Sequence, residues 1–256
     1  MTEFVASEIR EGVLELRLKR PEKKNALNPD MYAALASALR AADEDPRVRV
    51  VWLTGSGDSF TSGNDVTSFV DGSRKAGGRL PAHDFLHALA TLATPLVAAV
   101  NGMAVGVGAT LLLHCDMVFA ARSAFFRFPF VDLGVFPEAA STVLLPRIAG
   151  HARAMEMFLL GDRFDADAAR EAGMVNRVCD DGALEEESLA VARRLAQKPA
   201  SALRATKARV RAAGPDLAAI IDEEIGPFGE MVRSPEAQEA FSAFLEKRKP
   251  DFSRFD

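Results

Sequence analysis

The stretch PLVAAVNGMAVGVGATLLLHCD, residues 95–116, decides how this chain folds. It belongs to a longer segment, residues 85–115, that contains no Asp, Glu, Lys or Arg. Its length alone would allow a membrane-spanning helix. Pro95, Asn101 and the lack of a flanking basic cluster argue against a span, as do three closely spaced glycines, Gly102, Gly106 and Gly108. We therefore predict a buried strand, a turn and a buried helix, and no insertion into a membrane.

Upstream of this stretch the patterns predict a hairpin, a helix and a strand. Residues 13–18 alternate apolar and charged side chains and, with residues 4–9, predict an opening hairpin. Asn28 followed by Pro29 predicts the start of a helix. The apolar run at residues 48–53 predicts a strand.

Downstream, strand patterns stop near residue 178, and only helical patterns follow Leu184. Alternating strands and helices, followed by helices alone, indicate an α/β core with a helical appendage. Residues 68–80 are polar and rich in glycine, so we expect a mobile excursion there.

Composition argues against several classes of partner. The 256 residues carry a net charge of −5 at pH 7, with Lys and Arg scattered, so nothing indicates binding to nucleic acid or to an anionic membrane. Cys115 and Cys179 lie far apart and show no metal-ligand spacing, which indicates free thiols in a reducing compartment. The first residues carry acids where a secretory signal carries bases, so we expect a cytoplasmic protein.

The sequence lacks the motifs of three familiar kinds of catalysis. Its four histidines show no metal-ligand spacing, so we expect no metal site. It contains neither a G-x-S-x-G elbow nor a Walker A loop. Gly55 and Gly57 begin like a dinucleotide-binding loop, but the third glycine is missing. We therefore expect no bound cofactor.

Two glycine-containing junctions follow predicted strands. One is TSGND, residues 61–65, and the other is NGMAVGVG, residues 101–108. Glycine lets backbone N–H groups approach a ligand, and the second junction opens a helix whose first amides are free donors. Two converging N–H groups would stabilise a developing oxyanion. The same glycines would also serve simply to turn the chain, and the residues alone leave both interpretations open.

Glu138 lies in the apolar stretch DLGVFPEAAS, residues 132–141. Burial disfavours the charged form of a carboxyl group and raises its pKa toward neutrality, where it can accept and return a proton. The alternative is a negative charge near the N-terminus of a helix that starts at about Ser141, where the helix dipole favours it.

Five segments resemble the crotonase superfamily, that of the enoyl-CoA hydratases and isomerases, in the family's order and over nearly the whole length. They are RPEKKNALN (20–28), VWLTGSGDSFTSGNDV (51–66), PLVAAVNGMAVGVGATLLLHCD (95–116), AREAGMVNRV (169–178) and FLEKRKPDF (244–252). The resemblance implies an α/β fold, the crotonase (ClpP-like) spiral of repeated ββα units, over residues 1–195. It also implies a C-terminal helical trimerisation region over residues 196–256, and a homotrimer or a dimer of trimers.

The resemblance also implies an active site for an acyl-CoA thioester. The main-chain N–H groups of Asn64 and Val107 would form the oxyanion hole, and Glu138 would be the catalytic base. The other implied substrate contacts are Ala26, Ser62, Gly63, Asp65, Val66, Gly106, Phe130 and Lys247. Asp65 is expected to orient the first loop, and Lys247 to meet the CoA phosphates or to lie solvated at a helix end.

The family's hydratases use two glutamates, and this chain has Thr110 and Phe130 in their places. Glu138 instead matches the single base of the peroxisomal type of Δ3,Δ2-enoyl-CoA isomerase. The resemblance therefore implies a one-base proton shuttle that moves a 3-enoyl double bond to the 2-trans position, with CoA as part of the substrate. A hydratase, a dienoyl-CoA isomerase and a catalytically idle acyl-CoA-binding trimer are the alternatives. Phe130 argues against the second of these, which would have an acid there.

Overall fold

The computed structural model describes residues 3–67 and 81–255, and the predicted excursion at 68–80 lies outside these residues. The described strands form two sheets. The larger sheet contains β1 (Val5–Arg10), β2 (Val13–Leu18), β3 (Val50–Gly55), β5 (Leu96–Val100), β7 (Met117–Ala121) and β10 (Arg177–Cys179), in that order. The smaller sheet contains β4 (Ser59–Thr61), β6 (Met103–Val105), β8 (Phe125–Arg127) and β9 (Phe164–Asp165).

The predicted opening hairpin is confirmed. β1 and β2 pair antiparallel with Arg10 opposite Val13, so only two residues form the connection. Both of them, Glu11 and Gly12, have positive φ, at 50° and 80°. This is the backbone of a tight hairpin turn whose twist matches that of the flanking strands.

Successive strands from β3 to β8 alternate between the two sheets and pair parallel to their counterparts. At two of the corners the chain turns through a glycine. An added Cβ on Gly55 would collide with the carbonyl oxygen of Ser59, and one on Gly102 with the carbonyl oxygen of Asp58. The predicted core of repeated strand–strand–helix units is confirmed. The short strand β6 was not predicted, because three residues are too few for a readable pattern.

The helices fill the spaces around these sheets. They are α1 (Pro29–Glu44), α2 (Pro81–Thr91), α3 (Val107–Thr110), α4 (Ser141–Ala149), α5 (His151–Leu160), α6 (Ala166–Glu171), α7 (Leu184–Ala196), α8 (Ala200–Ala212), α9 (Leu217–Val232) and α10 (Pro235–Leu245). As predicted, Asn28 caps α1, and its side chain accepts the N–H of Met31 at 2.9 Å. The buried helix predicted within residues 95–116 is short: α3 passes into a 3-10 turn at Leu111–His114.

The apolar segment at residues 95–116 contributes to the protein core. All five residues of β5 are fully buried, and α7 packs against β3 and β5. Trp52 on β3 donates its indole N–H to the Ser188 hydroxyl of α7 at 3.0 Å. Within residues 3–67 and 81–255, no helix is both long and apolar enough to cross a membrane.

Two cationic side chains fasten α8 to the core. The Lys207 ammonium donates to a carboxylate oxygen of Asp116 at 2.5 Å and to the carbonyl oxygen of Thr94 at 2.8 Å. The Arg211 guanidinium donates to the carbonyl oxygens of Ala90 and Leu92, both at 2.9 Å. The division of the chain at residues 195 and 196 stays a prediction.

Candidate active site

The two glycine loops lie against each other. Gly63 has a φ of 92°, and an added Cβ there would lie 2.6 Å from the carbonyl oxygen of Val105. An added Cβ on Gly108 would lie 2.9 Å from the carbonyl oxygen of Thr61. Contacts this close require glycine on one side of each. The fold thus brings together the two junctions that the sequence singled out.

The amides proposed for the oxyanion hole are open. In the parts of the chain that the structure describes, neither Asn64 N–H nor Val107 N–H donates a hydrogen bond. Leu27 fixes the backbone on both sides of Asn64. Its N–H donates to the carbonyl oxygen of Gly63 at 2.8 Å, and its carbonyl oxygen accepts the backbone N–H of Asp65 at 3.0 Å. Val107 is the first residue of α3, where helical amides have no partner within the helix.

Two cavities meet at these amides. The larger, with a volume of about 560 Å³, is lined by both glycine loops, by Phe130 and by C-terminal residues that include Lys249, Pro250 and Phe252. The smaller, of about 50 Å³, contains the Glu138 side chain. Asn64, Val107 and Phe228 line both. A carbonyl group bound at these shared amides would therefore have the Glu138 carboxyl group in the adjoining cavity.

Glu138 is buried, with 7% of its surface exposed. One carboxylate oxygen accepts the hydroxyl hydrogen of Thr110 at 2.8 Å. Burial raises the pKa of Glu138 to about 7, against the opposing hydrogen bond from Thr110 and with a smaller contribution from the charge of Glu224. The side chain does not cap α4, so the helix-dipole interpretation has no such hydrogen bond to support it. A carboxyl group in this state accepts and returns protons near neutral pH.

The backbone after Glu138 takes an uncommon conformation. Ala139 and Ala140 have φ values of 64° and 52°, a region that costs a residue with a side chain roughly 1–2 kcal/mol. The ring Nε2 of His114 donates to the carbonyl oxygen of Ala139 at 2.8 Å. Burial lowers the pKa of His114 to about 4, so its ring is neutral at pH 7. The carboxylate of Glu224 accepts the N–H of Ala140 at 2.9 Å.

Sequence reasoning missed three polar side chains in the smaller cavity: Tyr32, His83 and Glu224. The Tyr32 hydroxyl donates to the side-chain oxygen of Asn64 at 2.6 Å. The ring Nε2 of His83 lies 2.7 Å from a carboxylate oxygen of Asp222. A signal for Glu224 existed in the sequence, because it shares one helical face with the apolar residues 221, 225 and 228.

The other predicted contacts fall into two groups. Five of them line the larger cavity: Ser62, Gly63, Val66, Gly106 and Phe130. The remaining three, Ala26, Asp65 and Lys247, are not among the described residues that line either cavity. Their roles in binding substrate stay predictions.

Asp65 and Ala26 share one partner, Arg20. Its guanidinium donates to the Asp65 carboxylate at 2.6 Å and to the Ala26 carbonyl oxygen at 3.1 Å. Burial opposes the charge of Asp65, but hydrogen bonds from Thr67 and Arg20 hold its pKa below the usual range. Lys247 is exposed, and its neighbours Arg248 and Lys249 line the larger cavity instead.

The described residues hold no group of three or more His, Cys, Asp or Glu side chains suited to a metal ion. The two cavities bring the carboxyl group of Glu138 together with the open backbone amides of Asn64 and Val107.

The family model for enoyl-CoA hydratase/isomerase matches residues 8–254. The chain is 39% identical to 1,2-epoxyphenylacetyl-CoA isomerase of Escherichia coli K12, and the match covers 99% of each protein. It is 36% identical to enoyl-CoA delta isomerase 2 of Homo sapiens, over 78% of this chain and 52% of the human protein. The crystal structure of an enoyl-CoA hydratase/isomerase from Pseudoalteromonas atlantica T6c matches with a TM-score of 0.93 and 42% identity, covering 98% of this chain and 100% of that one.

Proposed function

Since this chain belongs to the enoyl-CoA hydratase/isomerase (crotonase) family and is an enzyme acting on CoA thioesters, we propose that it is a Δ3,Δ2-enoyl-CoA isomerase. The observation that carries the proposal is the placement of Glu138. Its buried carboxyl group has a pKa of about 7 and shares the smaller cavity with Asn64 and Val107.

The proposed reaction uses Glu138 for both proton transfers. The carboxylate removes a proton from C2 of the 3-enoyl thioester, and the electron pair of that bond moves toward the carbonyl oxygen. The N–H groups of Asn64 and Val107 bind the resulting enolate oxygen. Each such donor is typically worth about 3 kcal/mol of transition-state stabilisation. The electron pair then returns, C4 takes the proton from Glu138, and the double bond ends between C2 and C3.

This cycle needs no added cofactor, because its atoms and charges balance within substrate and protein. We propose CoA as part of the substrate and no other bound group. Water must stay away from the enolate, and apolar Phe130 and Val135, which line the larger cavity, suit that requirement.

A hydratase would need a second acid to activate water. Thr110, which stands where the family has one hydratase acid, uses its hydroxyl to hydrogen-bond Glu138. Phe130, at the place of the other, is buried. Both features favour isomerisation over hydration in this site.

The test is to replace Glu138 by Gln and follow the absorbance of the conjugated thioester formed from 3-enoyl-CoA. We expect kcat to fall about a thousandfold, since a positioned general base contributes 10²–10⁴-fold, while CoA-thioester binding persists. Glu223→Gln is the matched control, because Glu223 is an exposed glutamate of α9. Undiminished kcat in Glu138→Gln would rule out this base, and rapid hydration of 2-enoyl-CoA by the unmodified protein would favour the hydratase.

A second candidate is isomerisation of an epoxide-bearing aromatic acyl-CoA. It is favoured by the 39% identity to 1,2-epoxyphenylacetyl-CoA isomerase along 99% of both proteins. Parallel assays with 3-enoyl-CoA and 1,2-epoxyphenylacetyl-CoA distinguish the two candidates, because the preferred substrate will show the higher kcat/KM.

We also propose that the protein forms a homotrimer in the cytoplasm. Association of subunits is supported by an apolar surface around α5, where Met155 is 38% and Leu159 is 55% exposed. These side chains line a shallow depression together with Val131, Phe136 and Met231. Burying a contiguous apolar surface in an interface removes it from water. Light scattering of the purified protein would show three times the monomer mass of 27.6 kDa, or six times for a dimer of trimers, and a monomer would refute the proposal.

A further inference from the structure

The peptide unit between Ala139 and Ala140, one residue after Glu138, is held at both of its polar atoms. The carbonyl oxygen of Ala139 and the N–H of Ala140 belong to the same planar peptide. The oxygen accepts from His114 at 2.8 Å, and the N–H donates to Glu224 at 2.9 Å. A rotation of this peptide would break both hydrogen bonds at once. The orientation of the backbone that carries Glu138 is therefore fixed from two sides.

The two partners come from distant parts of the fold. His114 ends the turn that follows α3, whereas Glu224 lies in the middle of α9. Ala139 and Ala140 both have positive φ, a conformation that an alanine does not prefer and that its surroundings must maintain. Replacing either partner would therefore release the peptide on one side.

Glu224 also faces the same cavity as Glu138. The other titratable side chains of that cavity are Tyr32 on α1 and His83 on α2, and His83 is paired with Asp222 of α9. Tyr32 donates to Asn64. Two carboxyl groups that face one small cavity disfavour each other's ionisation.

We propose that Glu224 is a positioning residue for Glu138: its carboxylate fixes the Ala139–Ala140 peptide just after the base and places a second acidic group in the cavity that holds the base. The inference rests on the proposed function only in taking Glu138 as the base. The hydrogen bond and the charge are separate effects, and different substitutions remove them.

Three variants separate these effects. Glu224→Gln retains an oxygen that can accept the N–H of Ala140 but removes the charge. Glu224→Ala removes both the acceptor and the charge. Glu223→Gln removes the charge of the exposed neighbour on the same helix and is the matched control.

The first measurement needs no substrate. Infrared difference spectra between each variant and the same variant carrying Glu138→Gln isolate the carboxyl signal of residue 138 as a function of pH. We expect the Glu138 midpoint, about 7 in the unmodified protein, to move down by about half a unit or more in Glu224→Gln. In Glu223→Gln the Glu138 midpoint should be the same as in the unmodified protein. An unmoved midpoint in Glu224→Gln would overturn the role of the charge.

The second measurement uses 3-enoyl-CoA. We expect Glu224→Ala to lower kcat about 10–100-fold with little change in KM, because a misplaced base loses rate rather than binding. Glu224→Gln should keep most of kcat, and the acid limb of its kcat–pH profile should shift to lower pH. A kcat for Glu224→Ala equal to that of the control would overturn the positioning role. Should Glu224→Ala not fold, as seen by circular dichroism, Glu224→Asp takes its place, because its shorter side chain keeps the charge but draws the acceptor away from the N–H of Ala140. We then expect a lower kcat for Glu224→Asp than for Glu224→Gln, and equal values would overturn the positioning role.

Failure of the proposed function gives a different pattern. A shifted Glu138 midpoint in Glu224→Gln, together with no turnover of 3-enoyl-CoA by the unmodified protein, would refute the isomerase assignment and leave the coupling of the two glutamates intact. Turnover of 3-enoyl-CoA with an unmoved Glu138 midpoint in Glu224→Gln would support the isomerase assignment and refute the effect of the Glu224 charge.

Discussion

Glu138 gives the protein a pH-dependent stability of unusual sign for a carboxylate. Its pKa is about 7 in the folded protein, against an ordinary value of 4.5. Between these two values the folded state keeps a proton that the unfolded state has released. Stability therefore falls as pH rises through this window, and the loss persists above it. A salt-bridged carboxylate, with a lowered pKa, would act in the opposite direction.

We predict that Glu138→Gln removes this dependence. The difference in unfolding free energy between the variant and the unmodified protein should change by about 3 kcal/mol in favour of the variant from pH 4.5 to pH 8. The reason is that a shift of one pKa unit corresponds to about 1.4 kcal/mol. Urea unfolding at several pH values and one protein concentration measures the difference. Glu223→Gln should show no such trend, and a constant difference between Glu138→Gln and the unmodified protein would contradict the prediction.

At this scale the sequence indicated the base but not its surroundings. Glu138 stands in an apolar stretch, so its burial was predictable from its neighbours along the chain. Its link to Glu224 was not, because Ala140 and Glu224 lie 84 residues apart. The sequence showed that Thr110 stands where the hydratases have an acid. Its hydrogen bond to Glu138 was not predictable, because it depends on how α3 packs against residues 138–140.

Among the elements, α8 depends on a buried ion pair more than on apolar packing. Lys207 is the one residue of α8 that is buried, at 8% exposure. Its ammonium pairs with Asp116, which also accepts the N–H of Leu96 at the start of β5. The pair therefore connects the helix to the first residue of the central strand.

We predict that Lys207→Ala destabilises the protein by about 3 kcal/mol. Removing one member of a buried pair typically costs 3–5 kcal/mol, and we expect the lower end because the Asp116 side chain is 30% exposed. Urea unfolding at pH 7 provides the measurement. Arg209→Ala, at an exposed position of the same helix, is the control, and equal stabilities for the two variants would contradict the prediction.

Elements differed in how far the sequence revealed them. The hairpin and α1 were predictable because their signals are local: alternation with a two-residue turn, and an Asn cap before proline. The strands β4, β6 and β9 were not, because they contain only three, three and two residues. Such short strands exist through pairing with partners distant in sequence, as Ser59 pairs with Met103.

At the scale of the whole molecule, Glu239 ties residues 248–254 to α10. Its side chain is 8% exposed and accepts from Arg248 at 2.5 and 3.0 Å and from Arg254 at 3.1 Å. The backbone N–H of Asp251 donates to it at 2.9 Å. The Arg248 hydrogen bond is the main reason that the pKa of Glu239 is lowered to about 2.

We predict that Glu239→Gln releases this C-terminal segment from the wall of the larger cavity. KM for the acyl-CoA should rise several-fold with kcat nearly unchanged, because this wall belongs to the larger cavity and would bind substrate away from Glu138, which lines the smaller one. Hydrogen exchange of residues 248–254 should become faster. In the unmodified protein the same release should occur as pH falls from 4.5 toward 2, where Glu239 takes up its proton. Glu230→Gln, an exposed site on α9, is the control, and unchanged exchange in Glu239→Gln would contradict the prediction.

The larger cavity is enclosed by residues that lie far apart along the chain. Ser62 and Gly63 form one part of its wall, and Lys249, Pro250 and Phe252 form another. During synthesis the first part leaves the ribosome long before the second, and early segments fold before late ones. A nascent chain can therefore assemble its glycine loops and still lack a closed binding pocket. Affinity for the thioester should arise only when residues 249–252 have emerged and docked, so products that stop before them would compete poorly for cellular acyl-CoA.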